Sequence, residues 1–231
     1  MKKLCIFLSL VFLFNTPLSV HADDSTKANL DFYYVQCDDR WKDIYVGDLT
    51  IAQSACGIAT LCNAVYYLTG VAPDLVEMAN WAHDGKLFNA PGVPGCYRSV
   101  FYYAGVELGN TYGFVATQNT YGSMHTQEIK DCLLSGGTVA VHVPGHFMAV
   151  VDYNPETERF LVIDPMPGDY GRYDNRRKGL TNAGGNWLTA DELSVGNIAV
   201  DCYVLFTRTL SDAQREAVQI PAQNALIMGI E

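Results

Sequence analysis

The chain has 231 residues and a formal net charge of −10, and 49% of its residues are hydrophobic. This apolar fraction is enough for a packed core of ordinary size, which excludes a wholly disordered chain, and the length suits one domain. The acidic balance argues against nucleic acid and anionic membrane surfaces as partners, because both are polyanions.

The N-terminus has the features of a secretory signal peptide over residues 1–22. Lys2 and Lys3 precede the apolar run LCIFLSLVFLF, and Val20 and Ala22 fit the small-residue rule for cleavage. Cleavage after Ala22 would leave 209 residues with 25 acidic and 13 basic side chains. We therefore expect an exported protein without a membrane anchor, since the apolar run is too short to span a bilayer. The domain is expected over 23–210, followed by a C-terminal tail over 211–231.

Helical spacing of apolar residues, together with glycine stops, predicts helices in the first two thirds of the chain. Ile58, Leu61, Val65 and Leu68 give the clearest spacing, and Gly70 follows them as a stop. The predicted helices cover 56–69, 74–83, 96–104 and 126–134.

Strand-like runs follow these helices. TVAVHV, HFMAVVDY, RFLVID and IAVDCYVLF are β-branched and aromatic, and NPETE separates the second from the third as a hairpin loop. Residues 165–186 are predicted to form a long loop, and Thr189 with Glu192 forms a capping-box pattern that opens a short helix. Helices first and an antiparallel sheet afterwards predict an α+β architecture.

Cys56 stands directly before Gly57 at the predicted start of the first helix. The positive end of a helix dipole and its unpaired N–H groups favour a thiolate, which is a nucleophile. A free cysteine can equally be a small buried hydrophobic residue, so this position alone leaves both interpretations open.

The cysteine pattern argues against a structural metal. No CxxC pair and no cluster of Cys and His with zinc-site spacing is present, so neither a metal nor a cofactor is expected. If Cys56 stays free for chemistry, five cysteines remain after signal cleavage, an odd number, and their pairing is left open. They are Cys37, Cys62, Cys96, Cys132 and Cys202.

A nucleophilic thiol needs a base, and that base needs a group that fixes its orientation. His83 and His125 fit surface or capping positions, whereas His142 and His146 lie in or beside predicted strands. His146 starts its strand after Pro144 and Gly145. A hairpin that turns near 155–157 pairs residue numbers with a sum near 312.

In that register Met148 lies opposite Asp164, and His146 is the diagonal neighbour of Asp164, within reach of its carboxylate. A slip of one residue would put the two side chains on opposite faces. No carboxylate has a matching place for His142, so His146 is the preferred base and Asp164 the preferred orienting acid.

Four motifs in order resemble the C39-like peptidases of the papain-like cysteine peptidase superfamily. The motifs are Q-x-D-x-RW at 36–41, TIAxSxCG at 50–57, GHF-x-x-VV-x-Y at 145–153, and DP at 164–165. The resemblance covers about residues 31–166. It implies a papain-like fold, in which an N-terminal helical part carrying the nucleophile packs against a C-terminal antiparallel sheet. It also implies that Cys56 is the nucleophile, His146 the general base and Asp164 the orienting acid.

The resemblance further implies a glutamine upstream of the nucleophile whose side-chain amide stabilises the oxyanion. Gln36 lies in the matching motif. Gln53 is only three residues before Cys56, which is too close to reach over it, so Gln36 is preferred.

Two alternatives to a peptidase acting on a peptide or protein substrate stay open. The same triad would serve a cell-wall peptide amidase or a transpeptidase. A non-catalytic module that binds a peptide or glycan would instead tie Cys56 in a disulfide. The aromatic residues that would suit such a module are Tyr97, Phe101, Tyr102, Tyr103, Tyr112, Tyr170 and Tyr173.

Overall fold

The structure, a computed structural model, describes residues 27–28, 30, 32–166, 184–194 and 199–209. Within these residues the helices are α1 (Ile51–Ser54), α2 (Cys56–Thr69), α3 (Leu75–Asp84), α4 (Val100–Tyr112), α5 (Thr126–Leu134) and α6 (Ala190–Leu193). The strands are β1 (Lys27–Ala28), β2 (Tyr45–Val46), β3 (Leu49–Thr50), β4 (Phe88–Ala90), β5 (Val93–Cys96), β6 (Phe114–Ala116), β7 (Thr120–Tyr121), β8 (Thr138–Val143), β9 (His146–Asn154), β10 (Arg159–Asp164), β11 (Gly184–Leu188) and β12 (Cys202–Arg208). This combination of helices and antiparallel strands confirms the predicted α+β class.

The main sheet lies between two hydrophobic clusters. Its strand order is β1-β11-β10-β9-β8-β12-β6, and β7 also pairs with β12. Along β8, Ala140 joins the cluster that contains α2, α3 and α4, whereas Val139 and Val141 join the cluster that contains α5 and α6. This alternation follows from the two-residue period of a strand, so each face of the sheet has its own helical cover.

Helix α2 is the central helix, and it is buried over most of its length. Its sequence CGIATLCNAVYYLT contains no charged residue, and Ile58, Leu61 and Val65 are fully buried. It packs against β8 and β9, and each such side chain stabilises the fold by about 1.5–3 kcal/mol through burial. Gly70 ends the helix in the left-handed conformation, with φ 78°. The predicted span and stop are both confirmed, and this packing fixes the position of Cys56.

The helix predicted over 96–104 is present, but both of its predicted ends are wrong. Cys96 ends strand β5, and helix α4 begins at Val100 and continues past Gly105 to Tyr112. A Cβ at Gly105 would lie 2.8 Å from the Cβ and the backbone nitrogen of Ala116. Gly105 therefore serves close packing against β6 and does not stop the helix. The stop is Gly113, with φ 78°.

The prediction of a loop over 165–186 is wrong at its C-terminal end. Gly184, Gly185 and Asn186 belong to β11, which pairs with β10 and β1. Glycine and asparagine favour turns locally, and here the hydrogen bonds of two neighbouring strands outweigh that preference. Residues 167–183 of the predicted loop lie outside the described residues.

Other predicted elements agree closely with the structure. The second and fourth helices, the strands over 138–143 and 159–164, and the Thr189 and Glu192 capping box are present. The last strand begins at Cys202, four residues later than the predicted start at Ile198. The predicted signal peptide and C-terminal tail lie outside the described residues. None of the helices in the described part of the chain has the length and apolar character of a membrane span.

Candidate active site

Cys56 is the first residue of α2, and the short helix α1 leads into it. Thr50 caps α1, and Gln53 returns its side chain to the Thr50 backbone N–H at 2.9 Å. Only Ala55 separates the two helices, so the chain delivers Cys56 directly to the N-terminus of α2. Cys56 is a partly exposed residue and a free thiol. A thiol at this position feels the positive end of the helix dipole.

Gly57 is required by close packing around Cys56. A Cβ at Gly57 would lie 2.7 Å from both the Cβ and the Sγ of Cys96, and 3.3 Å from the Phe147 ring. A side chain there would push both neighbours away. The Cys-Gly order at the start of α2 therefore has a packing reason as well as a chemical one.

His146 and Asp164 form a fully buried pair. His146 Nε2 lies 2.6 Å from Asp164 Oδ1, and both side chains are 1% exposed. The contact expected from the sequence is thus present. Because Nε2 is held by Asp164, Nδ1 is the ring nitrogen that remains for the hydrogen bond between His146 and Cys56.

A β-bulge between β9 and β10 sets this register. Near the loop, paired residue numbers add to 313, as in Phe160 with Tyr153. Beyond Leu161 the sum becomes 312, as in Ile163 with Ala149, because Val151 is an extra residue on β9. Continued along β10, this register makes Asp164 the diagonal neighbour of His146. Without the extra residue, Asp164 and His146 would fall on opposite faces.

The pKa values of Cys56 and His146 both shift in the direction that favours their charged forms. Burial alone would lower the pKa of His146, but the charge and hydrogen bond of Asp164, together with the hydrogen bond to Cys56, outweigh burial and raise it to about 9. Burial alone would raise the pKa of Cys56, but the hydrogen bond and charge of His146 and the Phe147 backbone N–H outweigh it and lower this pKa. The arrangement therefore favours a thiolate beside an imidazolium.

Gln36 is buried between the segments that carry Cys56 and Asp164. Its Nε2 donates to the carbonyl of Ala52 at 2.7 Å, and its backbone N–H donates to the carbonyl of Pro165 at 2.9 Å. One N–H of the amide remains after the bond to Ala52. Gln53, by contrast, is exposed and caps α1. The T-x-x-Q pattern at 50–53 is a capping box that the sequence alone could have identified.

Two neighbours of Cys56 were not anticipated from the sequence. The backbone N–H of Phe147 hydrogen-bonds to the Cys56 sulfur, and Cys96 lies against the N-terminus of α2. Phe147 follows the predicted base, so its proximity could have been inferred once His146 was chosen. Nothing in the spacing of Cys96 relates it to Cys56, because the contact depends on how the β4–β5 hairpin packs.

The other histidines lie elsewhere. His142 contacts Asp201 at 2.5 Å, so a carboxylate does have a matching place beside it, contrary to the sequence analysis. The sequence does not identify Asp201 as the partner of His142, because Asp201 lies 59 residues further along the chain, just before β12. His83 Nδ1 lies 3.0 Å from the carbonyl of Phe88, and exposed His125 precedes α5 as its N-cap residue. The exposed position of His125 agrees with the expected surface role, whereas His83 is half-buried.

The six cysteines among the described residues are all free thiols. Cys56 is therefore not tied in the disulfide that a non-catalytic module would require. Of the aromatic residues proposed for such a module, Phe101 belongs to the core, whereas Tyr97 and Tyr103 are exposed. Tyr170 and Tyr173 lie outside the described residues. Within the described ranges, no group of three or more His, Cys, Asp or Glu is arranged to hold a metal ion.

Comparisons with known proteins identify a family that matches most of this chain. The model of the Peptidase_C39 like family matches residues 32–195. The N-terminal peptidase C39 like domain of the toxin secretion ATP-binding protein from Vibrio parahaemolyticus shares 15% identity, covering 65% of this chain and 97% of that chain with a TM-score of 0.37. The peptidase domain of ComA from Streptococcus, a bi-functional ABC transporter involved in a quorum sensing pathway, shares 15% identity, covering 67% of this chain and 91% of that chain with a TM-score of 0.40. A search of curated proteins finds no match.

Proposed function

This chain belongs to the Peptidase_C39 like family, and from that premise we propose that it is an exported cysteine peptidase that uses Cys56, His146 and Asp164. Family membership gives the chain a papain-like cysteine peptidase fold. The observation that supports activity is the continuous chain of contacts from the partly exposed Cys56 thiol through buried His146 to buried Asp164.

The first half of the reaction forms an acyl-enzyme. The Cys56 thiolate attacks the carbonyl carbon of the scissile peptide bond, and the electron pair of the C=O bond moves onto oxygen. The backbone N–H of Cys56 and the free N–H of the Gln36 amide stabilise this oxyanion. As the tetrahedral intermediate collapses, the C–N bond breaks and the His146 imidazolium gives its proton to the leaving amine.

The second half releases the acid. Neutral His146 takes a proton from water, and the hydroxide equivalent attacks the thioester carbon. The C–S bond breaks, which returns Cys56 as a thiolate and His146 as an imidazolium. Asp164 keeps the imidazole oriented and stabilises its charged form throughout.

Labelling with iodoacetamide tests the nucleophile directly. We expect the Cys56 thiolate to be alkylated at neutral pH faster than Cys37. Cys37 is a partly exposed cysteine outside the site, and burial raises its pKa. Cys56→Ala should abolish turnover, whereas Cys37→Ser should retain it. Full turnover by Cys56→Ala on any substrate that the wild type cleaves would overturn the proposal.

The substrate distinguishes a peptidase from the amidase and transpeptidase alternatives. We propose peptide or protein substrates. Incubation with an unstructured protein and, separately, with purified cell-wall peptides distinguishes these functions by which substrate yields product.

Export is tested by sequencing the N-terminus of protein recovered outside the cytoplasm. A mature chain that begins at Asp23 is expected, and retention of residues 1–22 in the exported protein would contradict the predicted cleavage site.

A further inference from the structure

Cys96 lies at the N-terminus of the helix that begins with Cys56. The close approach is fixed by Gly57, since a Cβ there would meet the Cys96 sulfur at 2.7 Å. The Cys96 sulfur also accepts hydrogen bonds from the backbone N–H groups of Gly57 and Ile58. The Gly57 nitrogen belongs to the peptide that joins it to Cys56, so Cys96 reaches the immediate surroundings of the nucleophile.

The β4–β5 hairpin holds Cys96 in this place. The Asn89 side chain donates to Ser54 Oγ on α1 at 2.9 Å and accepts from the Gly95 backbone N–H at 2.9 Å. Cys96 pairs with Phe88 across the hairpin. Because α1 leads directly into Cys56, the same contacts position both cysteines.

Partial exposure separates this pair from the three buried cysteines. Cys56 and Cys96 are both partly exposed, whereas Cys62, Cys132 and Cys202 are buried. Cys37 is also partly exposed and follows Gln36, so it can serve as a control for the pair. In the exchange proposed below only Cys56 has to meet a small reagent, because Cys96 reacts within the protein.

We propose that Cys56 and Cys96 form a reversible disulfide that switches the enzyme off, with a low-molecular-weight disulfide as the oxidant. The inference rests on the proposed function, because the switch acts on the same nucleophile. The disulfide occupies the sulfur that attacks substrate, so the oxidised protein is inactive and reduction restores it.

The exchange proceeds in two balanced steps. The Cys56 thiolate attacks one sulfur of the small disulfide, whose S–S bond breaks, and the departing thiolate takes a proton from the His146 imidazolium. Neutral His146 then takes the Cys96 proton, and the Cys96 sulfur attacks the Cys56 sulfur. The mixed disulfide breaks, and the second small thiolate receives that proton. Two protein thiols are oxidised, and one small disulfide is reduced to two thiols.

The surroundings of Cys96 favour the second step only after the first. Burial and the negative charge of Cys56 raise the pKa of Cys96 well above its ordinary value. Formation of the mixed disulfide removes the Cys56 charge, while the Gly57 and Ile58 N–H groups still stabilise a thiolate at Cys96. Cys96 thus stays protonated in the active enzyme and becomes reactive once Cys56 is modified.

The test incubates the full chain with bis(2-hydroxyethyl) disulfide and 2-mercaptoethanol at defined ratios. We expect a non-reducing peptide map of the wild type to show Cys56 linked to Cys96 without a retained adduct. Inhibition should depend on the square of the mercaptoethanol concentration, because two thiols are released. In Cys96→Ser the adduct should remain on Cys56, and inhibition should depend on the first power. Reduction of the Cys96→Ser adduct should need at least about tenfold less thiol than reduction of the wild-type disulfide. The wild-type disulfide is favoured because its closure is intramolecular.

Cys37→Ser is the matched control and should behave as the wild type. An adduct on wild-type Cys56 without any Cys56–Cys96 link would overturn the switch, and this map needs no substrate and no variant. If the link forms in a protein that cleaves nothing when reduced, the proposed function fails and the thiol pair stands. If the reduced protein is active but never forms the link, the switch alone fails.

Discussion

Two histidine–aspartate pairs lie on neighbouring strands of the sheet, and their surroundings give them opposite properties. His146 and Asp164 are each 1% exposed, whereas His142 is 10% and Asp201 39% exposed. Both contacts are short, at 2.6 Å and 2.5 Å. Yet the pKa of His146 is raised to about 9 and that of His142 is lowered.

The neighbours of each pair explain the difference. Burial lowers the pKa of His142, and Asp201 only partly offsets it while Arg98 and His146 lower it further. Arg98 Nη2 also donates to Asp201 at 2.9 Å, so that carboxylate is shared. Asp164 also accepts from the Met166 backbone N–H at 2.9 Å, which adds no competing cation, and His146 has the Cys56 sulfur as its other hydrogen-bond partner. A carboxylate beside a histidine therefore does not by itself make a catalytic base.

A cysteine beside the pair is not sufficient either. Cys202 pairs with His142 across β12 and β8, but it is 2% exposed and burial raises its pKa. Cys56 differs because its pKa is lowered and its side chain is partly exposed. Exposure and a helix N-terminus distinguish the Cys56 thiol, the proposed nucleophile, from the buried Cys202 thiol.

The largest effect is expected from replacing His146, with the same replacement at His142 as the matched comparison. His146→Gln removes the base and the proton donor, so kcat/KM on any identified peptide substrate should fall on the order of 10³-fold or more. His142→Gln should change it less than about tenfold, because the contacts it loses, with Asp201, Arg98 and the Phe147 ring, do not include Cys56 or Asp164. Equal losses in the two variants would show that the comparison between the pairs is mistaken.

Asp164→Asn should lower kcat by roughly 10²–10³-fold and shift the pH dependence. In the wild type the alkaline limb of the rate follows loss of the His146 proton, at a pKa of about 9. The acid limb follows protonation of Cys56, whose pKa is below its ordinary value. Removing the Asp164 charge lowers the pKa of His146, so the alkaline limb should move to lower pH. A pH–rate profile of both proteins checks the shift, and an unmoved alkaline limb would contradict the role of Asp164.

The two glutamines provide a matched pair for the oxyanion site. Gln36→Ala should reduce kcat by about 10²-fold with a smaller change in KM, since it loses a donor used in the transition state. Gln53→Ala should leave kcat unchanged and cost about 1 kcal/mol or less of unfolding free energy, because it loses a cap contact at an exposed position. Steady-state kinetics and urea unfolding separate these outcomes, and the reverse pattern would assign the donor to Gln53.

The smallest expected effect is a change in titration without a change in rate. Arg98→Gln removes a cation that lowers the pKa of His142, so this pKa should rise. Turnover should stay within a few-fold of the wild type, as expected of a substitution away from the reacting atoms. Titration of the histidine ring signals by NMR gives the direction, and a fall in the His142 pKa would contradict the account of this pair.

The sequence correctly predicted the helices and strands whose determining residues lie within the element itself. Helix α2 agrees at both ends because apolar spacing and the Gly70 stop act within the helix itself. Gly105 misled the prediction because a glycine can serve close packing as well as a stop, and only Ala116 across the contact distinguishes them. Strand β11 was missed for a similar reason, since its pairing partners come from distant parts of the chain.

The candidate site divides in the same way. The sequence by itself determined that Cys56 opens a helix, that His146 opens a strand, and that Asp164 closes the next strand. Only the tertiary structure decided that β9 forms a bulge at Val151, and this bulge places His146 and Asp164 on the same face of the sheet. The approach of Cys96 to Gly57 was likewise a tertiary outcome. Spacing along a chain sets which residues can share a helix or strand, whereas register and packing depend on contacts between segments that sequence distance does not encode.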